Sequence, residues 1–213
     1  MKFNTQEIFD VLFKEKEIKV FMRRLDLISS PVSGNKYFKL KYNILKALEE
    51  KNDTIVTFGG AYSNHILATS IISKKENIKC IGYIRGEKTL PLNPTLNDAI
   101  NNGMQIRYIS RKEYKRINTE DYLNCLKQKH KNSYIIPEGG TNKLAVKGAE
   151  LIINSDDNFQ FICCPIGTGG TISGIINSSS EEQQIIGFSS IKGVNKIIDS
   201  KNRIYTYFLH KQY

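Results

Sequence analysis

The chain has no apolar run long enough to cross a bilayer, no CxxC pair and only five prolines among its 213 residues. A membrane-spanning helix needs about 20 consecutive apolar residues, and the longest runs here, such as FICCP at 161–165, fall far short. With no CxxC and no zinc-ligand spacing, the usual cysteine-based metal sites are excluded. Few prolines beside 15 glycines, with 40% apolar and 24% charged residues, exclude collagen-like, disordered and small disulfide-framework chains. The N-terminal stretch MKFNTQEIFDVLF carries Glu7 and Asp10 inside its apolar part and no small-residue cleavage site follows, so it reads as mature protein. The expectation is a soluble, cytoplasmic chain of one large or two small domains, with Cys80, Cys125, Cys163 and Cys164 as free thiols.

Charge is the next constraint. Lys and Arg total 31 against 21 Asp and Glu, a formal net charge of +10. The lysines are scattered rather than gathered in a tail, and no basic zipper or RNA-binding signature accompanies them. A solvated lysine-rich surface is expected, with neither nucleic acid nor membrane as partner.

What is present is an alternation. Strand-like runs lie at 18–22, 54–58, 78–84, 104–109, 133–136, 159–164 and 184–188. Helical patterns fall between them near 36–50, 63–76, 94–102, 119–131, 143–154 and 171–178. In the first helix Leu40, Ile44, Leu45 and Leu48 repeat with a 3.6-residue period. Short apolar strands separated by helices predict an α/β fold of parallel sheets covered on both faces. In such folds ligands sit beyond the carboxyl ends of strands, near free helix N–H groups. Three glycine-bearing loops stand there: GGAYSNH (59–65), PEGGTN (137–142) and GTGGT (167–171).

The last loop suits a phosphate. Gly167, Gly169 and Gly170 let the backbone approach an anion closely, Thr168 and Thr171 add hydroxyls, and a helical pattern follows. It is not a Walker loop, because Ile172-Ser173 stand where Lys-Ser/Thr is required, and Ile172 also breaks a dinucleotide fingerprint. Lys36, after Gly34 and Asn35, opens a helical pattern beside Lys39 and Lys41. A helix N-terminus and neighbouring cations disfavour its ammonium form, which suits a nucleophilic, Schiff-base lysine.

Together these residues resemble the pyridoxal-phosphate family of 1-aminocyclopropane-1-carboxylate deaminases and D-cysteine desulfhydrases, of the tryptophan-synthase-β-like fold. The similar blocks are LDLISSPVSGNKYFKLKYN (25–43), VTFGGAYSNH (56–65), IRGE with LNPTL (84–96), ISRKEY (109–114), IPEGGTNKLAVKGAE (136–150), GTGGTISG (167–174) and GFSSIKG (187–193). The resemblance implies that Lys36 carries pyridoxal 5′-phosphate and that Asn64 bonds the cofactor's ring hydroxyl. It implies that Gly167, Thr168, Gly169, Gly170 and Thr171 cradle the phosphate. Ser63 is similar to the family's serine that faces the substrate, receiving its carboxylate or taking part in proton transfer. Asn64, His65 and Lys39 join Ser63 on the substrate side; His65 packs behind the ring, and Lys39 matches a second family lysine near the cofactor. Glu138 to Asn142 resembles a wall of the substrate cleft. The implied reaction takes a small amino acid to a 2-oxo acid and ammonia, with the pyridinium ring as electron sink. The implied assembly is a homodimer.

Two departures accompany the resemblance. Arg24-Leu25-Asp26-Leu27 stands where family members commonly read Arg-Asp-Asp-Leu. After Gly193 the chain reads VNKIIDSKNRIYTYFLHKQY, in which no family block is recognisable. The expected organisation is therefore three-layer parallel-sheet domains lacking the C-terminal part of the large domain. Residues 1–50 would begin the large domain, 51–150 form the small domain, 151–193 return to the large domain with the phosphate loop, and 194–213 form a divergent tail. Uncovered apolar faces are expected at Phe159, Phe161 and Ile185. Impaired turnover follows as an expectation, with a partner chain as rescue and a non-catalytic pyridoxal-phosphate-binding pseudoenzyme as the alternative.

Overall fold

A stretch as rich in β-branched residues as TIVTFG suits a strand buried on both faces, and it forms an inner strand of the larger sheet. The computed structural model describes residues 4–28, 32–190 and, for the backbone alone, 204–208. Its elements open with β1 (Thr5–Ile8), α1 (Val11–Glu15), β2 (Val20–Arg23) and α2 (Asn35–Glu49). There follow β3 (Thr54–Gly59), α3 (Asn64–Lys75), β4 (Lys79–Arg85), α4 (Pro94–Asn101), β5 (Met104–Ile109), α5 (Arg111–Tyr114), α6 (Glu120–Lys129) and β6 (Ser133–Ile136). The chain continues through α7 (Lys143–Ala149), β7 (Phe161–Ile166), α8 (Gly170–Ser178), β8 (Gln184–Ser189) and β9 (Ile204–Phe208).

β1 and β2 pair antiparallel, while the other two sheets are parallel throughout, in orders β5-β4-β3-β6 and β7-β8-β9. In the four-stranded sheet the chain steps outward from β3 to β4 and β5, then returns to the other side of β3 as β6. The reversal opens a crevice at the carboxyl ends of β3 and β6, the place where open α/β sheets take ligands. The loops at 59–63 and 137–142 follow those two strands.

All seven strand runs and six helical patterns of the sequence appear, with bounds moved by a few residues. The pattern at 143–154 stops as an α-helix at Ala149 and closes in a 3-10 turn. β1, α1, α5 and β9 were not legible: each is five residues or fewer, too short for a periodicity to register. Of the reading of 194–213 as a divergent tail, only the backbone at 204–208 falls within the described residues, where it pairs with β8 from Ile185↔Ile204 to Ser189↔Phe208. Residues 29–31 and 191–193 of the matching blocks lie outside the described residues.

Helix α2 joins two cores. Leu40, Ile44 and Ala47 pack with Ile55, Ile66 and Ile84 against one face of the four-stranded sheet. Phe38, on another side of the same helix, packs with Ile166, Ile172, Ile175 and Ile185 beneath the second parallel sheet. Val56 and Phe58 cover the opposite face of the first sheet together with Tyr114, Ile117 and Leu126. Glycine sets how closely the helices approach. A Cβ on Gly148 of α7 would lie 2.0 Å from the Phe38 carbonyl oxygen of α2, and one on Gly174 of α8 would lie 2.6 Å from the Val146 carbonyl oxygen of α7. The three helices thus pack nearly backbone to backbone.

One expectation about exposed faces is overturned. Ile185 is fully buried, because β8 lies between β7 and β9 and turns this side chain into the cluster with Phe38 and Ile172. Phe161 is 49% exposed, and Phe159 is partly buried against the Phe21 ring. Cys163 is exposed and Cys164 buried, as neighbours on a strand require. No helix among the described residues is long and apolar enough to cross a membrane.

Candidate functional site

Helices that begin without a side-chain cap leave N–H groups free. Ser63 caps α3 and Asn142 caps α7, their side chains accepting from Ile66 N and Ala145 N. Helices α2 and α8 instead start behind Gly34 and Gly169, which offer no side chain. Both glycines have positive φ, at 67° and 84°, a region that other residues rarely enter. The two bare helix starts are tied together: Asn35 Nδ2 donates to Thr171 Oγ1 at 2.8 Å.

Between them lies a recess of about 60 Å³ lined by Asn35, Lys36, Lys39 and the loop from Gly167 to Ile172. A wider cleft of about 360 Å³ adjoins, lined by Ser33, Gly34, Asn35, Lys36, Asn64 and Leu67 among others. Asn35 and Lys36 border both, and neither lining includes an acidic residue among the described residues. Two helix N-termini and two lysines converging without a carboxylate make an anion receptor. A larger cavity of about 740 Å³ lies elsewhere, around Phe9, Val11 and Ile18 by the N-terminal hairpin, away from these helix starts.

Lys36 is half-buried, and burial holds its pKa below the ordinary lysine value. The sequence pointed to the same direction through the helix end and neighbouring cations; the cause here is desolvation. Lys39 is only 1% exposed, and burial, then the charge of Lys36, lowers its pKa to about 7. Its Nζ donates to Thr141 Oγ1 at 2.8 Å and to Thr168 Oγ1 at 3.3 Å, and these two hydroxyls also bond each other. Lys39 therefore stands at the Gly167–Thr171 end of the site, joining the loop after β6 to the loop after β7.

Asn64 is exposed at the wider cleft, and Ser63 is half-buried beside it. The Ser63 hydroxyl accepts from Ile66 N at 3.4 Å, a loose cap. His65 is 1% exposed, and burial, with the lysine charges behind it, lowers its pKa to about 3. Thr57 Oγ1 gives its one proton to the Ile136 carbonyl at 2.9 Å, so His65 Nε2, 2.8 Å away, must be the donor to Thr57. The imidazole is neutral with a bare Nδ1, turned toward Gly140, whose Cβ would come within 3.3 Å of it. His65 thus lies behind the loops, enclosed by them.

In the 138–142 segment, Gly139 and Gly140 have φ of 63° and 70°, and a Cβ on Gly139 would meet the Thr168 side chain at 2.8 Å. Glu138 lies near the buried phenol of Tyr114, whose pKa burial and this carboxylate push upward. Sequence reasoning missed Thr57, Asn43 and Thr141 as partners of His65 and Lys39. Two of them left a signal: Thr141 lies in the glycine loop at 137–142, and Asn43 is a polar residue spaced with Leu40, Ile44 and Ala47 on the buried side of α2.

No family model matches the chain. It is 34% identical over 165 residues to a Thermotoga maritima protein named as a candidate 1-aminocyclopropane-1-carboxylate deaminase, covering 73% of this chain and 52% of that one. It is also 34% identical over 176 residues to the mitochondrial bifunctional D-cysteine desulfhydrase/1-aminocyclopropane-1-carboxylate deaminase of Arabidopsis thaliana, covering 74% and 44%. A crystal structure of an ACC deaminase homologue superimposes with a TM-score of 0.75 at 26% identity, covering 89% of this chain and 60% of that one. By sequence and by fold the chain is similar to proteins named as 1-aminocyclopropane-1-carboxylate deaminases and D-cysteine desulfhydrases, and it spans about half the length of the curated relatives it matches.

Proposed function

We propose that the recess receives the phosphate of pyridoxal 5′-phosphate, that Lys36 Nζ holds the cofactor, and that the chain converts a small amino acid to a 2-oxo acid and ammonia. The names of its relatives supply the substrate candidates, 1-aminocyclopropane-1-carboxylate and D-cysteine. One observation carries the reading: two uncapped helix starts and two lysines converge on a recess that opens, past Lys36, into a cleft bordered by Asn64. The residues fit such a cofactor, an anion at one end and an aldehyde within reach of an amine at the other.

When bound, pyridoxal phosphate supplies an electron sink for charge developing on the substrate. The protein's part is to bind, orient and move protons. The first N–H groups of α8, the hydroxyls of Thr168 and Thr171 and the Lys39 amine would hold the phosphate. Burial of Lys36 keeps more of its amine neutral and able to attack a carbonyl carbon. The Asn64 side chain would meet the ring hydroxyl from the wider cleft. The loosely engaged Ser63 hydroxyl can turn toward a substrate carboxylate. His65, kept neutral by burial and oriented by Thr57, packs behind Gly140.

The test is direct. Pyridoxal phosphate is added, the absorbance of a lysine-linked cofactor followed, and the adduct reduced with borohydride, digested and mapped. Label on Lys36, lost in Lys36→Ala, supports the binding half; label elsewhere overturns it. Ammonia and 2-oxo acid released from either substrate support turnover. A Lys36 adduct without product leaves a pyridoxal-phosphate-binding protein and removes the enzyme.

A further inference from the structure

Lys39 is held at both ends, and the two holds are joined. Asn43 Nδ2, one turn further along α2, donates to the Lys39 carbonyl at 2.9 Å. At the other end Lys39 Nζ donates to Thr141 Oγ1 at 2.8 Å. Asn142, the residue after Thr141, pairs with Asn43 through a reciprocal amide contact. Its Nδ2 donates to Asn43 Oδ1 at 2.7 Å, and Asn43 Nδ2 donates to Asn142 Oδ1 at 3.2 Å. Backbone and hydrogen bonds thus close a ring that runs from the Lys39 carbonyl through Asn43, Asn142 and Thr141 back to the Lys39 amine.

The ring is anchored on two further elements. Tyr134 OH, on β6, donates to Asn43 Oδ1 at 3.3 Å, and Asn142 Oδ1 caps α7 at Ala145 N, 2.9 Å away. Both amide protons and both lone pairs of the Asn43 side chain are therefore occupied. Asn43 is fully buried on the side of α2 that carries Leu40, Ile44 and Ala47. An unbonded amide there would be costly, and an apolar side chain of similar size would need none of these partners. The residues it organises end at Nζ, which stands beside the first residue of α8: a Cβ on Gly170 would be 3.0 Å from it.

We propose that Asn43 and Asn142 are positioning residues for the anion recess, acting through Thr141 to fix the place of the Lys39 amine and so to set the affinity for the phosphate. This rests on the reading of the recess as the phosphate end of the cofactor site. A lysine has several rotatable bonds, and ordering it before the ligand arrives removes part of the cost of binding.

The probe is pyridoxine 5′-phosphate, which lacks the aldehyde and cannot link to Lys36, with binding followed by calorimetry. Asn142→Asp keeps the oxygen that caps α7 but cannot donate to Asn43. It is expected to weaken binding about tenfold, the worth of roughly one hydrogen bond, in the wild-type background and to have no effect in Lys39→Met. Equal weakening in both backgrounds, or wild-type affinity in a folded Asn142→Asp, overturns the proposal. Should Asn142→Asp melt, Thr141 serves instead: Thr141→Val is expected to weaken binding and Thr141→Ser to restore it, and a Thr141→Val protein of wild-type affinity is equally fatal. Failure of the wild-type protein to bind the probe at all would remove the phosphate reading itself. Binding without the dependence on Lys39 would remove only the positioning roles.

Discussion

Replacing Gly148 by alanine should loosen the helix that carries both site lysines. Alanine is favoured over glycine in a helix interior by about 1 kcal/mol, so propensity alone predicts a gain. Packing predicts the reverse. The new Cβ would sit 2.0 Å from the Phe38 carbonyl oxygen and 2.9 Å from its carbonyl carbon. Ordinary C···O contacts begin near 3.3 Å, so α7 and α2 must part by roughly 1.3 Å. The obstacle is backbone and cannot rotate aside, and Phe38, Leu40 and Ala47, all fully buried, move with it. Overpacking of this kind typically costs about 1–3 kcal/mol, and this contact belongs at or above the upper end. A net loss of about 2 kcal/mol is expected, a fall in melting temperature of about 4–8 °C for a chain of this size. Urea and thermal denaturation measure it, and weaker pyridoxal phosphate binding should accompany it. Gly82→Ala is the control: its Cβ would meet Met104 Sδ at 2.6 Å, the far end of a flexible side chain, so it should cost less. A Gly148→Ala protein as stable as wild type, or more so, would refute the close-packing argument.

Acid should unfold the protein partly through His65. Its pKa is about 3 when folded against about 6.5 when exposed, so between these values the unfolded chain binds the extra proton and stability falls as pH falls. From pH 7 to pH 5 the loss assignable to His65 is about 2 kcal/mol; it is read as the difference between wild type and His65→Gln in urea melts at both pH values, and parallel curves would contradict it. Gly170→Ala places a Cβ 3.0 Å from Lys39 Nζ and Cε and 3.1 Å from Thr141 Cγ2, side-chain atoms that need give by only a few tenths of an ångström, so stability should change by less than about 1 kcal/mol. Binding of pyridoxal phosphate should weaken several-fold, and unchanged affinity in a spectroscopic titration would count against Lys39 as part of the recess.

Much of the site was legible because its glycine loops follow strands, and a parallel sheet brings strand ends to one edge whatever the details of packing. The loops at 59–65, 137–142 and 167–171 needed only local reading. Their partners did not follow from local reading, because the contacts are long in sequence. Lys39 meets Thr141 across 102 residues and Thr168 across 129. The wrong expectation for Ile185 has a similar origin, since its cover depends on α2 and on a strand at 204–208 that no family block announced. The lowered pKa of Lys36 was read in the right direction from the helix end, but its cause is burial, a property of the assembled site.

Several groups that weaken this fold lie where the ligand is proposed to sit. Two helices start there behind glycines that supply no side-chain cap, each forgoing about a few tenths of a kcal/mol. A lysine is buried beside another lysine, and an imidazole nitrogen is buried without a partner. Around them the polar groups are used fully, as at Asn43, where two donors and two acceptors are engaged. If the free N–H groups and lysine charges were surface accidents, they would have no reason to converge, since each is individually unfavourable to folding. Their convergence on one recess between the two parallel sheets is explained by an anion that repays all of them together, because a ligand bound only by the folded chain stabilises it.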